Sequence, residues 1–289
     1  MTKRHPRILV TGAESQLGKS LRMHCNQNQY DITYKSRYTL DITNKKAVKD
    51  FFKEHHFDYC FNFAAYTNVN QAETDKKACF DVNVKGVANL AKAAKKNEVV
   101  LFHISTDYVF NGKKNKPYKE DDKPNPLNIY GESKLMGEQI IEQYLKNYVI
   151  IRTSWLYSKF NNNFVKTVLN LSKTNRKLKL VNDQTGTPTY AMDLIDFLLF
   201  MVNIIEQNPK KNYFGTYHFS NKGKATWYEF GKRILKYAAI DKQIKPIDTA
   251  RFNSAVKRPA YSVLSKKKIE NLFDYQPRKW QEALKDFFE

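Results

Sequence analysis

The 289-residue chain has three cysteines, Cys25, Cys60 and Cys79, and no two are spaced as Cys-x-x-Cys. An odd, scattered set supports neither a disulfide framework nor a zinc knuckle, so a reducing compartment, the cytoplasm, is the expectation. Glycine and proline are scarce, 10 and 9, which excludes collagen-like and proline-rich classes. Long apolar runs are missing. The most apolar later stretch, 194–205, contains Asp196 and Asn203 and falls well short of the roughly 20 residues a membrane span needs. Residues 1–13 carry a short apolar run that leads straight into a glycine turn, unlike a signal peptide. Acidic residues are outnumbered, 29 against 49 Lys and Arg, for a formal charge of +20.

That charge does not by itself mean nucleic acid. The excess is mostly lysine, spread along the chain, with its densest patches at 45–46, 76–77, 113–116 and 266–268. Helix ends and loops are expected there, so a solvated face is the reading, one that would steer an anionic ligand inward. No RNA-binding aromatic signature or zinc-finger spacing accompanies the lysines. Apolar residues make up 42% and charged residues 27%, the proportions of a globular protein of one large or two smaller domains.

The first half alternates strand and helix. Strands are expected at 7–10, 31–35, 58–63, 99–105 and 148–153. Helices are expected at 17–27, 45–55, 76–96 and 130–145. This rhythm implies an α/β fold, a doubly wound parallel sheet with helices on both faces and ligands beyond the carboxyl ends of its strands. After Thr153 the rhythm loosens, with helices expected at 160–172, 192–205, 226–239 and near 280–288. A smaller, interleaved substrate-binding lobe is the reading. Residues 1–155, joined by 176–206, would form the dinucleotide-binding domain, and 156–175 with 207–289 the lobe.

Thr11-Gly12-Ala13-Glu14-Ser15-Gln16-Leu17-Gly18 joins the first strand to the first helix, where backbone N–H groups hold a pyrophosphate. Gly12 permits the turn and Gly18 close helix–strand packing; Ser15 stands where a middle glycine is usual. About 20 residues on, an acidic side chain would accept from an adenosine ribose hydroxyl. Here Ser36 and Arg37 follow Lys35, a setting suited to a 2′-phosphate, or simply a solvated strand end. NADPH is therefore favoured and NADH kept open. Asp41 and Ile42 are placed to line the adenine.

Tyr130-Gly131-Glu132-Ser133-Lys134 puts a phenol and an ammonium on one helix face. The positive charge would lower the phenol's pKa and make Tyr130 a usable proton donor to a carbonyl receiving hydride. The same spacing recurs at Tyr228/Lys232 and Tyr275/Lys279, so spacing alone decides nothing. Tyr130 alone opens a helix in the sheet half, after a strand ending in Ser105 and Thr106, whose hydroxyl can polarise the same carbonyl oxygen. Of the histidines, His103 reads as a core residue. His55-His56 point apart on a helix, so no metal site is indicated.

The chain resembles the dTDP-4-dehydrorhamnose reductase family of the extended short-chain dehydrogenase/reductases nearly end to end. The carriers are the glycine turn, Leu40-Asp41-Ile42-Thr43, Asn62-Phe63-Ala64-Ala65-Tyr66-Thr67, Asn83-Val84, Ser105-Thr106-Asp107-Tyr108-Val109-Phe110 and Tyr130 to Lys134. Arg152-Thr153-Ser154-Trp155, Asp183-Gln184-Thr185-Gly186-Thr187-Pro188-Thr189 and Arg258-Pro259 complete them. Asn70 stands where an Asp is common. The resemblance implies a Rossmann-type sheet and NAD(P)H-dependent reduction of the C4 carbonyl of a dTDP-4-dehydro sugar. Tyr130 would be the proton donor. Lys134 would hold the nicotinamide ribose, and Thr106 would bond the developing alkoxide. Ala64, Ala65 and Tyr66 would line the cofactor. Asp107, Val109, Trp155, Asn163 and Arg258 would face the substrate, although Trp155 also suits a core and Arg258 a plain surface. A nucleotide sugar would be the partner, with no nucleic acid or membrane, and the chain a monomer or homodimer. A sugar-nucleotide epimerase or dehydratase, and a non-catalytic regulatory subunit like that of methionine adenosyltransferase, are the rivals.

Overall fold

Strand β1 (Arg7–Thr11) is buried along its length after Arg7, as an apolar run in a doubly covered sheet should be. In the computed structural model, which describes residues 4–24, 29–174, 178–252 and 256–289, it is followed by α1 (Gln16–His24), β2 (Asp31–Lys35), α2 (Lys45–Glu54) and β3 (Tyr59–Asn62). Then come α3 (Val69–Ala72), α4 (Lys76–Phe80), α5 (Val87–Lys96), β4 (Val100–Thr106), α6 (Ile129–Tyr144) and β5 (Tyr148–Thr153). The third part holds β6 (Leu156–Tyr157), α7 (Phe164–Ser172), β7 (Leu178–Val181), β8 (Thr185–Gly186), β9 (Thr189–Tyr190) and α8 (Ala191–Gln207). The last holds β10 (Gly215–His218), β11 (Ala225–Thr226), α9 (Trp227–Tyr237), β12 (Ile244–Ile247), α10 (Thr249–Phe252), α11 (Lys267–Phe273) and α12 (Trp280–Phe288).

Six strands form one parallel sheet in the order β10-β5-β4-β3-β1-β2. The chain leaves β1 toward β2 and returns on the other side as β3. The crevice past the carboxyl ends of β1 and β3 is therefore the topological switch point, where open sheets bind ligands. Successive side chains of a strand point to opposite faces. Ile8 and Val10 pack with Leu17 and Leu21 of α1 and Leu194 and Leu198 of α8 on one face. Leu9, between them, packs with Val48 and Phe52 of α2 and Leu90 of α5 on the other. Truncating such a buried leucine to alanine costs about 2–5 kcal/mol.

A third core belongs to the lobe. Tyr157, Val168, Leu180, Phe230, Trp280 and Leu284 meet there, drawn from three stretches of chain, so the lobe is interleaved as expected. Its boundaries differ from the sequence expectation. Gly215–His218, assigned to the lobe, is the edge strand of the main sheet beside β5. Leu178–Val181, assigned to the sheet half, pairs with β12. A Gly-Thr-Tyr-His edge strand has no aliphatic alternation to announce it.

The expected helix at 160–172 begins only at Phe164, because Asn163 caps it. The expected helix at 76–96 is interrupted by a π-helical turn, Asp81–Gly86. Cys25, and the end of the first helix expected at 27, lie outside the described residues, as does the expected boundary at 176. Among the described residues no helix is long and apolar enough to cross a membrane.

Candidate active site

A cleft of about 480 Å³ opens at the carboxyl ends of β1, β3, β4 and β5. At one end is the glycine turn. Gly12 has φ +66°, and a Cβ there would lie 2.4 Å from Ala64 N, so the turns after β1 and β3 meet backbone to backbone. Ser15 uses its hydroxyl to accept Gly18 N–H at 3.1 Å. A helix start leaves its first N–H groups unpaired. Those of Gln16 and Leu17, both on the cleft wall, have no acceptor among the described residues. Free donors at the positive end of α1 suit a pyrophosphate, so the residues fit a dinucleotide. The Gln16 carboxamide is engaged elsewhere: its oxygen accepts from Ser158 and from Asn163 across to the lobe.

Farther in, Thr106, Tyr130 and Lys134 line the same cleft. Thr106 ends β4. Tyr130 lies in the first turn of α6, whose N-cap Asn128 accepts Gly131 N–H at 2.8 Å. A Cβ on Gly131 would lie 2.3 Å from Tyr108 O. This glycine thus lets the tight turn Asp107–Val109 seat on α6 and brings Thr106 to Tyr130. The Thr106 hydroxyl itself donates to Asp107 Oδ1 at 3.2 Å. Burial drives the Tyr130 phenol well above its ordinary pKa, and the neighbouring Thr106 hydroxyl opposes the rise. The expected lowering by Lys134 is therefore not what sets this phenol: desolvation outweighs it. Lys134 is buried, its Nζ 2.7 Å from Ile104 O and 3.1 Å from His103 Nε2. Burial brings its pKa down to about 8.

The competing pairs are elsewhere. Lys232 lies over the Tyr228 ring at 5.5 Å, and Tyr275 packs against Phe197 and Phe200; none of the four lines the cleft.

On the lobe side Trp155 walls the cleft, its indole stacked on Trp227. Asp107, 2% exposed, lines the cleft beside Thr106 and donates nothing as a carboxylate. Burial pushes its pKa up to about 7, against the opposing effect of the nearby Ser262 and Thr106 hydroxyls. Ala65 is also on the wall, with Ala64 behind it at the glycine turn. Tyr66 is held through its backbone, its N–H donating to Asn83 Oδ1 at 2.9 Å and its carbonyl accepting from Asn83 Nδ2 at 3.0 Å. Asn83 lies in the π-helical turn and also donates to Ser133 of α6. The unusual turn thus ties the loop after β3 to α6.

Other expected residues stand back from the cleft. Ser36 and Arg37 form an exposed turn after β2, where the Ser36 hydroxyl accepts Tyr38 N–H. The Asp41 carboxylate holds Thr43. Arg258 donates to Asn70 Oδ1 at 2.7 Å and borders a neighbouring slot with Trp227 and Gln184.

Three expectations are corrected. Val109 is fully buried against Phe110, Tyr118 and Leu264 and is a core residue. Ile42 is 4% exposed and packs in the α2–α5 core, away from any adenine surface. Asn163 caps α7 and spends its amide on Gln16 and Ser158. His103, read as an ordinary core residue, touches Lys134. Trp227, Asn161 and Asn162 line the cleft without having been singled out. Only the Thr226-to-Glu229 capping box marks where Trp227 begins a helix, and nothing in the spacing links it to Trp155.

The family model described as RmlD substrate binding domain matches residues 6–289. A dTDP-4-dehydrorhamnose reductase of Aggregatibacter actinomycetemcomitans is 39% identical over 97% of this chain and 97% of its own length. Spore coat polysaccharide biosynthesis protein SpsK of Bacillus subtilis is 37% identical over 98% of this chain and 97% of its own. The crystal structure of a dTDP-4-dehydrorhamnose reductase from Bacillus anthracis in complex with NADP superposes with a TM-score of 0.93. It is 38% identical and covered, like this chain, over 99% of its length. With its glycine turn, Ser-Thr-Asp-Tyr-Val-Phe block and Tyr-x-x-x-Lys helix all built around one cleft, the chain belongs to the RmlD family of dTDP-4-dehydrorhamnose reductases.

Proposed function

We propose that the protein reduces the C4 carbonyl of dTDP-4-dehydro-β-L-rhamnose to give dTDP-L-rhamnose, the last step of dTDP-rhamnose biosynthesis, with NADPH as the preferred reductant. The observation that carries the reading is the alignment of free helix-start N–H groups at one end of the cleft with Thr106, Tyr130 and Lys134 farther in. The reduced nicotinamide, when bound, supplies the hydride.

The chain's own residues do the rest. The Gln16 and Leu17 N–H groups hold the pyrophosphate. Lys134 anchors the nicotinamide ribose. Tyr130 keeps its proton until charge builds on the sugar oxygen, then donates it. Thr106 bonds the same oxygen as it becomes an alkoxide, a contribution strongest where water is excluded. Trp155 faces the sugar from the lobe side and Asp107 from the end of β4, and Arg258, beyond Trp227, offers a cation for the nucleotide's phosphates. Ser36 and Arg37 read the adenosine 2′-phosphate. The sheet half takes the cofactor and the lobe the nucleotide sugar. A cytoplasmic enzyme without nucleic-acid or membrane partners, monomeric or homodimeric, fits this chemistry.

The test is reduced-nicotinamide consumption with dTDP-4-dehydrorhamnose, run with NADPH and with NADH, wild type beside Tyr130→Phe. Loss of a general acid costs about 10²–10⁴ in rate, so Tyr130→Phe should lose at least a hundredfold in kcat while still binding cofactor. Tight cofactor binding without turnover by the wild type would overturn the reading.

A further inference from the structure

Between β6 and α7 the lobe sends a short loop, residues 158–163, across to the glycine turn. Its ends are fixed by the pairing of β6 with β9 and by the cap of α7. Inside the loop the Ser158 hydroxyl accepts Phe160 N–H at 3.0 Å, and the Ser158 carbonyl accepts from Asn163 Nδ2 at 2.8 Å. It is thus built to move as one piece. Three side-chain hydrogen bonds tie it to the turn after β1, 142 to 147 residues back along the chain. Asn161 Nδ2 donates to Glu14 O at 2.8 Å. Ser158 Oγ and Asn163 Nδ2 donate to Gln16 Oε1 at 3.0 and 3.1 Å. Asn163 Oδ1 is taken by Lys166 N–H, so its NH₂ group faces Gln16, and only the Gln16 oxygen can meet it. Asn161 and Asn162 of the loop line the same cleft as Ser15, Gln16 and Leu17 of the turn.

We propose that this loop is a strap closing over the cofactor's pyrophosphate and that the Gln16 side chain is the positioning residue that pins it, so that cofactor enters and leaves only when the strap lifts. The proposal rests on the reading of the cleft as a reductase site. Gln16 serves both sides of the contact: its backbone N–H is for the pyrophosphate, and its carboxamide oxygen holds the lobe. The pins are neutral hydrogen bonds, each of modest net worth, and Asn161 is exposed. Pinned and lifted states therefore lie close enough in energy to interchange, as a gate requires. The strap also leads back to Trp155, which immediately precedes β6 and walls the cleft on the lobe side. A nucleotide sugar seated on Trp155 steadies the strap in its pinned position. The sugar thereby slows cofactor exchange, and the cofactor, lying beneath the strap, binds first. Without the pins, the sugar's hold on Trp155 no longer reaches the glycine turn.

The experiment follows the loss of bound-NADPH fluorescence when the NADPH-loaded, full-length protein is mixed with excess 2′-phospho-ADP-ribose, a competitor that accepts no hydride. The sugar-site probe is dTDP-L-rhamnose, which has no carbonyl for NADPH to reduce. Gln16→Met keeps a helix-forming stem and removes the acceptor. It should speed NADPH release about tenfold, the net worth of the lost hydrogen bonds. Association should speed up too, so the dissociation constant moves much less than either rate. Asn161→Gly keeps the left-handed backbone, φ +52°, at no steric cost and removes the donor to Glu14. It should act in the same direction. In wild type, saturating dTDP-L-rhamnose should slow release about fivefold; in Gln16→Met that slowing should disappear. Wild-type release rates in variants with an unchanged urea midpoint overturn the proposal. So does faster release with unchanged association, which marks a lost cofactor contact rather than a gate, and so does slowing by the sugar that survives in Gln16→Met. These rates are read without turnover and overturn the strap alone, whereas a wild type that binds neither ligand overturns the reductase reading and the strap with it.

Discussion

The indole of Trp155 lies flat on that of Trp227, ring centroids 3.4 Å apart and planes 9° apart. Trp155 holds a left-handed backbone, φ +47°, which costs energy for a bulky residue. Two features hold it there. Trp227 covers one side, and Gly186 leaves room on the edge: a Cβ at 186 would lie 2.5 Å from the indole. Gly186→Ala should therefore tilt Trp155 while leaving the sheet half intact. If Trp155 walls the sugar site, KM for the nucleotide sugar should rise about tenfold, or about 1.4 kcal/mol of lost binding. NADPH affinity should not change. Steady-state kinetics with fluorescence titration of NADPH separates the two, and an unchanged KM would remove Trp155 from the substrate wall.

The turn after β2 makes the second prediction. Ser36 and Arg37 follow the strand that pairs with β1, beside the switch point. Arg37 enters no ion pair among the described residues, so its charge is available to a phosphate. Arg37→Asp should weaken NADPH more than tenfold and leave NADH equal or tighter, because the carboxylate repels a 2′-phosphate and accepts from a 2′-hydroxyl. The ratio of the two dissociation constants reads this directly; a constant ratio would mean the turn does not touch the ribose.

The sheet half was legible because its strands are apolar runs between helices of clear 3.6-residue period, as at 7–10 and 45–55. Edge strand β10 was not, because Gly215–His218 pairs on one side only and its burial comes from packing that no local pattern reports. That Thr106, Tyr130 and Lys134 share one cleft was legible from Tyr130 following a strand that ends in Thr106. Val109 was misplaced because one short block serves both purposes: Thr106 and Asp107 face the cleft, and Val109 and Phe110 turn into a core. His103 was read as core because its partner, Lys134, is brought to it by the packing of α6 on β4, which spacing cannot show.

Arg152 and Glu138 supply a stability prediction. The guanidinium grips the carboxylate through Nε and Nη2, at 3.0 and 2.6 Å, with the two side chains only 5% and 1% exposed. The pair fastens α6, which carries Tyr130 and Lys134, to β5. Removing one partner strands a buried charge, at a cost of about 3–5 kcal/mol. Arg152→Met should lower unfolding stability by that amount in urea titrations. Glu138→Met/Arg152→Met together should recover much of it, since no unpaired charge then remains. Equal loss in the single and double variants would mean the pair acts by packing alone.

Asp107 links stability and rate to the same proton. Its carboxyl is 2% exposed and accepts from Thr106 Oγ1 at 3.2 Å, and burial raises its pKa from 3.8 to about 7. A carboxyl raised on folding stabilises fully while protonated in both states, below about pH 4. That contribution is lost as pH climbs through about 7, and the shift amounts to roughly 4 kcal/mol. The unfolding free energy of wild type relative to Asp107→Asn should therefore fall between about pH 4 and 7 and level off above. The rate should follow in parallel. An ionised Asp107 holds the Thr106 hydroxyl proton, whereas a neutral one frees that proton for the developing alkoxide. Wild-type kcat should decline above about pH 7, and the decline should vanish in Asp107→Asn, measured by NADPH consumption across the same buffers. If the variant keeps the wild-type decline, another group governs the limb and Thr106 is not controlled through this carboxyl.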